Sequence, residues 1–476
     1  MTPERLQPLL EETAALTERF AAAGWKLYLV GGSVRDAILG RALPPAGDLD
    51  FTTDARPDDI EAVVSGWADA VWDQGRRFGT IGVRKDGRTY EVTTHRAEAY
   101  SPDSRKPDVQ FADAVEADLS RRDFTVNAMA LALLPAPGRS GLSPAPGRSG
   151  LPQAELIDHF GGIADLAASR LRTPLPPAES FTDDPLRMLR AARFLSGYGL
   201  RPDDALVAAV KALRGRLEIV SAERVRDELD KLLVVDAPGA GLWFLVDTGL
   251  AEEFLPELPA LALQQDPVHR HKDVLAHTIA VVEKTRPDKI LRLAALLHDI
   301  GKPKTRSYGQ GGVSFHHHEV VGARMAEERM RALRYPEDEI ADVRRLVELH
   351  LRFHGYGDDL WTDSAVRRYA TDAGPLLKKL NELTRCDCTT RNQRKALELS
   401  RRMDLLEARI AHLEAEEELS KIRPDLDGNQ IMAHLGIGPG RDVGLAWKFL
   451  YELRLDEGPL GEDEARRRLD GWWAAR

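Results

Sequence analysis

Hydrophobic spacing along the chain changes character near residue 160. Before that point apolar residues come in short runs and alternations; beyond it they recur mostly every three or four positions. Leu27 to Val30 is a short apolar run that predicts a buried strand. Two glycines follow, then Ser33, Val34, Arg35 and Asp36, and an amphipathic turn through Ile38 and Leu39 that Pro44, Pro45 and Gly47 stop. Asp48 to Phe51 predicts a second strand, with Asp48 and Asp50 on one face and Leu49 and Phe51 on the other. Residues 4–23 predict a helix packed on the sheet, and another helix starts near Pro57 with acids in its first turn. The segments GTIGVRKDG and RTYEVTTHR alternate about an Asp86-Gly87 turn, a hairpin signal that sets Glu91 and Thr93 on one face. Residues 96–111, starting at Arg96, are rich in Pro, Ser and charge and read as a flexible loop. DLSRRDFTVNAMALAL reads as a helix with Phe124, Met129 and the alanines on its apolar face. A direct repeat of PAPGRSGL then occupies the stretch 135–152, a disordered insertion with no core-forming residues to spare, before ELIDHFGG resumes as strand and turn.

Helical spacing dominates the remainder. In SFTDDPLRMLRAARFLSGYGL, Pro185 suits a helix first turn, with Thr182 or Asp184 as its cap. Arg187, Arg190 and Arg193 recur along one face, opposite Leu186, Leu189, Phe194 and Leu195; Asp184 and Arg187 are i, i+3 neighbours. SAERVRDELDKLL is a further helix. A long charged amphipathic helix runs from about 391 until Pro424 ends it. Gly436, Gly438, Pro439 and Gly440 then form a turn ahead of another helix, able to cradle a phosphate at that helix start. The predicted division is 1–160, 161–250, 251–390 and 391–476.

Composition narrows the class. A chain of 476 residues accommodates three or four domains, and 43% hydrophobic with 30% charged content marks it as globular. No apolar run reaches the roughly 18 residues of a membrane helix, and the first residues lack the apolar centre of a signal peptide. The net charge of −10 argues against a general coat of nucleic-acid affinity. Between Arg170 and Lys231, however, 12 basic residues face 10 acidic ones, a locally positive segment in an acidic chain. Cys386 and Cys388 stand too close for an ordinary bridge and face apart on a helix, which fits a reducing cytoplasm rather than a zinc site.

The chemistry concentrates at Asp48 and Asp50. Two carboxylates about 4 Å apart repel by roughly 4 kcal/mol at an effective dielectric of 20, so a cation between them is the natural resolution. Hard oxygen ligands suit Mg²⁺. The upstream glycine turn offers backbone N–H groups at a helix start, and Arg35 adds a fork of donors for phosphate oxygens.

GGSVRD followed by GDLDF resembles the head of the class II tRNA nucleotidyltransferases, the CCA-adding enzymes, and of the related bacterial poly(A) polymerases, within the polymerase beta superfamily. The resemblance extends over most of the chain. It implies an α+β fold: a small mixed-sheet nucleotidyltransferase head, then an elongated all-helical neck, an HD-type body and a tail. It implies Mg²⁺ on Asp48 and Asp50 with Glu91 as a third carboxylate, and a triphosphate held by Gly31, Gly32, Arg35 and Arg122. Asp184 and Arg187 match the family's E-D-x-x-R element, a protein template for the Watson–Crick edge of CTP or ATP; this chain has Asp183 where the family usually has Glu. Arg190 and Arg193 then hold phosphate or orient Asp184, and Glu223, Arg224 and Glu228 brace the template helix. The implied partners are tRNA, CTP and ATP, with no membrane and no obligate protein partner. The loop at 96–111 corresponds to a mobile family element and points to complete C, C, A addition. The rivals are a poly(A) polymerase, disfavoured by the missing basic tail, and an HD metal phosphohydrolase acting on RNA ends.

Nine of the 13 histidines fall between residues 265 and 390, in clusters separated by apolar helical runs. The run ILRLAALLHDIGKP and its neighbours resemble the HD phosphohydrolase fold. The implied ligands for a second divalent metal centre are His277, His298, Asp299 and Asp387, with His318 and His350 completing a second ion site.

Overall fold

The computed structural model describes residues 4–42, 48–99, 108–112, 114–135, 153–263, 273–309, 312–353, 361–388, 393–417 and 423–476. The repeat-bearing insertion therefore lies outside the described residues. Two compact units emerge, Met1–Leu232 with Ala240–Glu253, and Leu233–Gly239 with Phe254–Arg476.

The first unit begins with α1 (Gln7–Ala22), β1 (Leu27–Val30), α2 (Gly32–Ile38), β2 (Leu49–Thr53) and α3 (Pro57–Val64). Next come β3 (Ala70–Trp72), β4 (Thr80–Lys85) and β5 (Arg88–Thr94). Asp86 and Gly87 both take positive φ (50° and 81°), the backbone a tight hairpin turn between twisted strands requires. The segment expected to be one flexible loop instead opens and closes as strands, β6 (Arg96–Ala99) against β7 (Asp108–Phe111); residues 100–107 between them lie outside the described set. The chain continues through α4 (Val115–Ser120), β8 (Ala130–Leu134) and β9 (Gln153–Ile157). Here a second expectation fails. ALALL is a strand beside β1, with no continuing helix, because a short run that is apolar at every position carries no periodicity that separates strand from helix.

The seven strands order as β3-β4-β5-β2-β1-β8-β9. The β2–β5 pair is parallel and aligns Asp50 with Glu91, while the neighbouring pairs are antiparallel. One sheet face, with Leu27, Leu29, Leu49, Phe51, Tyr90 and Val92, is buried beneath Leu16 and Phe20 of α1 and Ile60 and Val64 of α3. Each large apolar side chain sealed there contributes roughly 1.5–3 kcal/mol. Strand alternation sends Asp50 and Glu91 to the other face, so the same pleat that builds the core presents the acids.

Helices complete the unit: α5 (Gly162–Ala167), β10 (Arg170–Leu171), α6 (Pro177–Asp183), α7 (Leu186–Tyr198), β11 (Arg201–Pro202), α8 (Asp204–Leu213), α9 (Ala222–Leu233) and α10 (Gly239–Asp247). The neck is thus helical apart from the short parallel β10–β11 pair.

The second unit holds α11 (Val274–Lys284), α12 (Lys289–Leu297), α13 (Lys302–Thr305), the hairpin β12 (Arg306–Gly309) and β13 (Gly312–Phe315), α14 (His318–Ala332), α15 (Glu337–Leu349), α16 (Asp363–Ala373) and α17 (Leu377–Asp387). Arg292 on α12 is 1% exposed, and the carbonyls of Thr285, Leu233, Val235 and Asp236 take up its guanidinium. Such a charge is tolerable only because every donor meets an oxygen. The long α18 (Gln393–Glu417) is followed by α19 (Gly428–Leu435), α20 (Arg441–Glu457) and α21 (Glu462–Ala474), which share a small core of Leu426, Ile431, Ala446, Leu450, Ala465 and Leu469. The expected glycine turn does precede α20, with Gly436 in the left-handed conformation closing α19. No helix among the described residues is long and apolar enough to cross a membrane.

Candidate active site and metal cluster

Two recesses of the first unit meet at Asp50. One is lined by Asp50, Glu91, Arg96, Arg121, Arg122, Asp184, Arg187, Arg190 and Arg224 among others; it is acidic at the sheet and basic along the helices. The other runs behind the strand past Gly32, Ser33, Asp36, Arg41, Asp48 and Arg88. Asp50 opens to solvent through this cleft but has protein on most sides. Burial, then repulsion from Asp48, raises its pKa, while Arg122 and Arg190 pull it back down. Glu91 is raised for the same reasons, burial first and then Asp50 and Asp48. Crowded carboxylates that hold protons too readily are the electrostatic signature of a site suited to a divalent cation with oxygen ligands. Their oxygens are not drawn into a tight cluster, however. The groups of three whose ligand atoms lie within 4.8 Å of one another, among the described residues, are both in the second unit.

Gly31 sits where these parts converge. Its backbone (φ 76°, ψ −137°) is one that side-chain-bearing residues avoid, and a Cβ there would lie 3.0 Å from Arg122 Nη1 and 3.6 Å from Asp50 Oδ2. Arg122 is steered by Asp118, 2% exposed and 3.1 Å away. Asp184 accepts from the backbone N–H of Leu186 (3.2 Å), and its other oxygen pairs with Arg224 (3.1 Å). Arg187 donates to Ser180 Oγ (2.8 Å) and to the Arg121 carbonyl. Arg190 makes a two-pronged contact with Asp123 (2.8 and 2.6 Å). Glu228, 3% exposed, receives Arg193 at 2.8 Å and Arg190 at 3.5 Å.

Two residues expected on the triphosphate or its neighbourhood are placed elsewhere. Arg35 is 5% exposed; it grips Asp36 through Nε and Nη2, donates from Nη1 to Asn127 (2.5 Å), and meets the Tyr198 hydroxyl. These contacts take up four of its five N–H donors. Arg193 likewise lines neither recess and is committed to Glu228. Arg35's contact with the adjacent Asp36 is open to a reading of the sequence, but its bonds to Asn127 and Tyr198 and that of Arg193 to Glu228 join partners 35 to 163 positions apart and are not visible in spacing. Arg121 and Arg224, which spacing did not single out for nucleotide, do line the cleft.

Asp123 shows how strongly the cleft wall is held. Burial opposes its charge, yet Arg190 and Asn127 bring its pKa down to about 2. A folded-state pKa below the unfolded value gives stability that is present above about pH 4 and lost as pH falls toward 2. Asp123→Ala is expected to lower unfolding stability by about 3 kcal/mol at pH 7, because Arg190 and the Asn127 amide lose their acceptor. Urea denaturation of both proteins checks this, and the gap should narrow below pH 4.

The second unit gathers the predicted histidines. His298 and His350 end their helices, His318 starts one, and Asp387 closes α17. In each of these three histidines Nδ1 faces the carbonyl three residues back: Ala295 (2.8 Å), Phe315 (2.8 Å) and Val347 (2.6 Å). Donation there fixes the tautomer and leaves the Nε2 lone pair free. All three Nε2 atoms are buried and make no hydrogen bond, each an omission that costs about 1–3 kcal/mol unless something else fills it. Two sets of ligand atoms result: His277, His298 and Asp387, and Asp299, His318 and His350. Asp299 links them, with Oδ2 3.2 Å from His298 Nε2 and 3.6 Å from His277 Nε2, and Oδ1 3.4 Å from His318 Nε2. Burial, then the neighbouring His298, drives the His350 imidazole down to about 4; burial opposes charge on His298 too, but the Asp299 and Asp387 carboxylates raise it to about 10, so in the absence of a cation these acids favour a proton on its ring. This nitrogen and carboxylate set fits a pair of divalent ions. Lys302, not anticipated from the sequence, stands 2.6 Å from Asp299 Oδ2; its place four residues after His298 in HDIGK was the available signal.

Residues 27–172 match the family model of the poly A polymerase head domain, residues 199–261 that of the probable RNA and SrmB-binding site of polymerase A, and residues 274–414 that of the HD domain. With the mixed sheet and helical body, the three matches follow one another along the chain: a poly A polymerase head domain, a probable RNA and SrmB-binding site of polymerase A and an HD domain. Among characterised sequences it is 38% identical over 254 residues to the CCA-adding enzyme of Bacillus licheniformis and 36% identical over 252 residues to that of Latilactobacillus sakei. Each match covers 53% of this chain and 57% of the relative, so the chain spans little more than half the length of the relatives it matches. Its fold is similar to the Bacillus stearothermophilus CCA-adding enzyme in complex with CTP (TM-score 0.66, 22% identity, 100% of this chain and 99% of that one). It is also similar to the Thermotoga maritima CCA-adding enzyme complexed with tRNA (TM-score 0.55, 20% identity, 99% and 97%).

Proposed function

We propose that this chain is a template-independent nucleotidyltransferase that adds C, C and A to tRNA 3′ ends from CTP and ATP in the cytoplasm. The observation that carries the reading is the single recess in which Asp50 and Glu91 face Arg122, Asp184, Arg187 and Arg190. Asp48, Asp50 and Glu91 are the oxygen ligands we assign to Mg²⁺, which when bound stabilises the attacking and leaving oxygens of an in-line displacement. The side chains of the chain itself do the selecting. Arg122, held by Asp118 beside Gly31, offers a fork to the polyphosphate. Asp184 accepts from the exocyclic amine that cytosine and adenine share, and Arg187 donates to the adjacent ring nitrogen. Uracil and guanine put a carbonyl opposite the carboxylate, leaving buried polar groups unpaired, a mismatch that supports strong discrimination. Arg224 and Ser180 hold these two readers in place until a base arrives.

A poly(A) polymerase is the alternative that one finding favours, since the head match carries that description. The test is a tRNA lacking its last three nucleotides, given labelled CTP and ATP and read at single-nucleotide resolution. The expected product stops after three additions in the order C, C, A. A long adenylate ladder on any RNA replaces this reading with the poly(A) one. For the second unit we propose a phosphohydrolase centre for phosphoesters at RNA ends, in which His277, His298 and Asp387, with Asp299, His318 and His350, would hold two divalent ions; such ions would supply an activated water.

A further inference from the structure

Tyr198 ends α7, lines neither recess, and yet is held from two directions. The Arg35 guanidinium lies over its ring at 4.1 Å from the centroid and that of Arg41 at 4.4 Å. Arg35 also donates to its hydroxyl, and Arg41 donates to the carbonyl of Gly197 just before it (3.2 Å). Its ring stacks on Phe194 one turn earlier (5.3 Å, 28°). What the arrangement does is tie the last turn of α7 to α2 and the residues just after it.

Those two helices hold opposite halves of the nucleotide site. Helix α2 begins at the glycine turn, and the first turn of α7 carries Arg187 with Asp184 just ahead of it. Arg187 and Tyr198 are eleven residues apart, about 16 Å along a rigid helix. Asp123 anchors the rod through Arg190, about one turn beyond Arg187, and Glu228 anchors it through Arg193. A rod gripped at these points and at its far end has its near end fixed in both position and rotation. Hydrogen-bond reading of a base edge weakens steeply with angle, and misplacement by about 1 Å can cost a hundredfold in rate.

We propose that Tyr198 is a positioning residue for base selection: by clamping α7 to the helix that starts at the glycine turn, it sets where Asp184 and Arg187 stand relative to the triphosphate. The proposal rests on the nucleotide-adding reading above. The experiment compares kcat/KM for CTP and UTP on tRNA lacking its terminal CCA, together with the melting temperature. For Tyr198→Leu the CTP-to-UTP ratio should fall about tenfold, mainly through kcat for CTP. Tyr198→Phe, which keeps the ring under both guanidiniums, should restore the ratio to within about threefold of the parent. An unchanged ratio in the leucine variant overturns the proposal. So does an equal loss for both nucleotides accompanied by a lower melting temperature, which marks a merely structural residue. If the leucine variant does not fold, Arg41→Met gives the same readout: a lowered ratio supports the clamp and an unchanged one overturns it. A parent protein that incorporates CTP while the variants keep its ratio refutes the clamp alone; a parent that incorporates nothing refutes the functional reading and the clamp with it.

Discussion

Asp50→Asn is expected to reduce CTP incorporation at least about a thousandfold while making the protein slightly more heat-stable. The first half follows from its place where both recesses meet, aligned with Glu91 and beside Asp48. Removing one charged ligand from the reacting centre takes away stabilisation that acts directly on the displacement. The second half follows from the direction of its titration. Burial and then Asp48 raise its pKa in the folded protein. A carboxyl with a folded pKa above its unfolded value binds protons more tightly when folded, so its ionisation lowers stability as pH rises through that range, and the deficit persists at neutral pH. A neutral asparagine removes the deficit, and a small rise in melting temperature without added metal is the expected direction, limited by solvent screening at this exposed side chain. Single-turnover incorporation and a thermal scan on the same sample test the pair. Retained incorporation means the acids of β2 are not the reacting centre. Lost incorporation with a lowered melting temperature means instead that Asp50 is a structural anchor.

Asp299→Asn is expected to empty the histidine cluster of its ions and to leave nucleotide addition within about twofold of the parent. Asp299 is 1% exposed, and its oxygens face ligand nitrogens of both sets. A neutral amide offers a weaker oxygen to a hard cation and presents a donor where the cluster needs an acceptor. Elemental analysis of the purified protein should find close to two divalent ions per chain in the parent and fewer than one in the variant. Lys302 also loses its 2.6 Å partner, so a modest fall in melting temperature is expected. A parent purified without bound metal, and unable to take up Mn²⁺, Co²⁺ or Zn²⁺ on titration, overturns the metal assignment.

The sequence reveals those features that depend on neighbours close in the chain. The alternation of Asp48, Leu49, Asp50 and Phe51 suffices to put the acids on the face away from the core, and the same pleat carries Glu91 alongside. The histidine clusters are legible because each ligand sits at the end of an apolar helical run, so that docking the helices brings their ends together. Less legible is anything decided by a partner far away. Arg35 looks like a phosphate ligand from its place after the glycines; its contacts to Asn127 and Tyr198, added to the one with adjacent Asp36, come from residues far along the chain. The helix expected through ALALL is a strand, because burial on both sides of a sheet erases the alternation that identifies strands. Strands β6 and β7 were hidden by the polar composition of the segment that joins them.

The histidines of the second unit owe their orientation to main-chain oxygens three positions upstream. Side chains supply none of those three contacts. Mutational drift in the surrounding residues can therefore proceed without scrambling which nitrogen faces inward, provided the local turns survive. The tautomer of each ring is thus written into the backbone of its own turn, and substitutions that keep the turn should keep the tautomer.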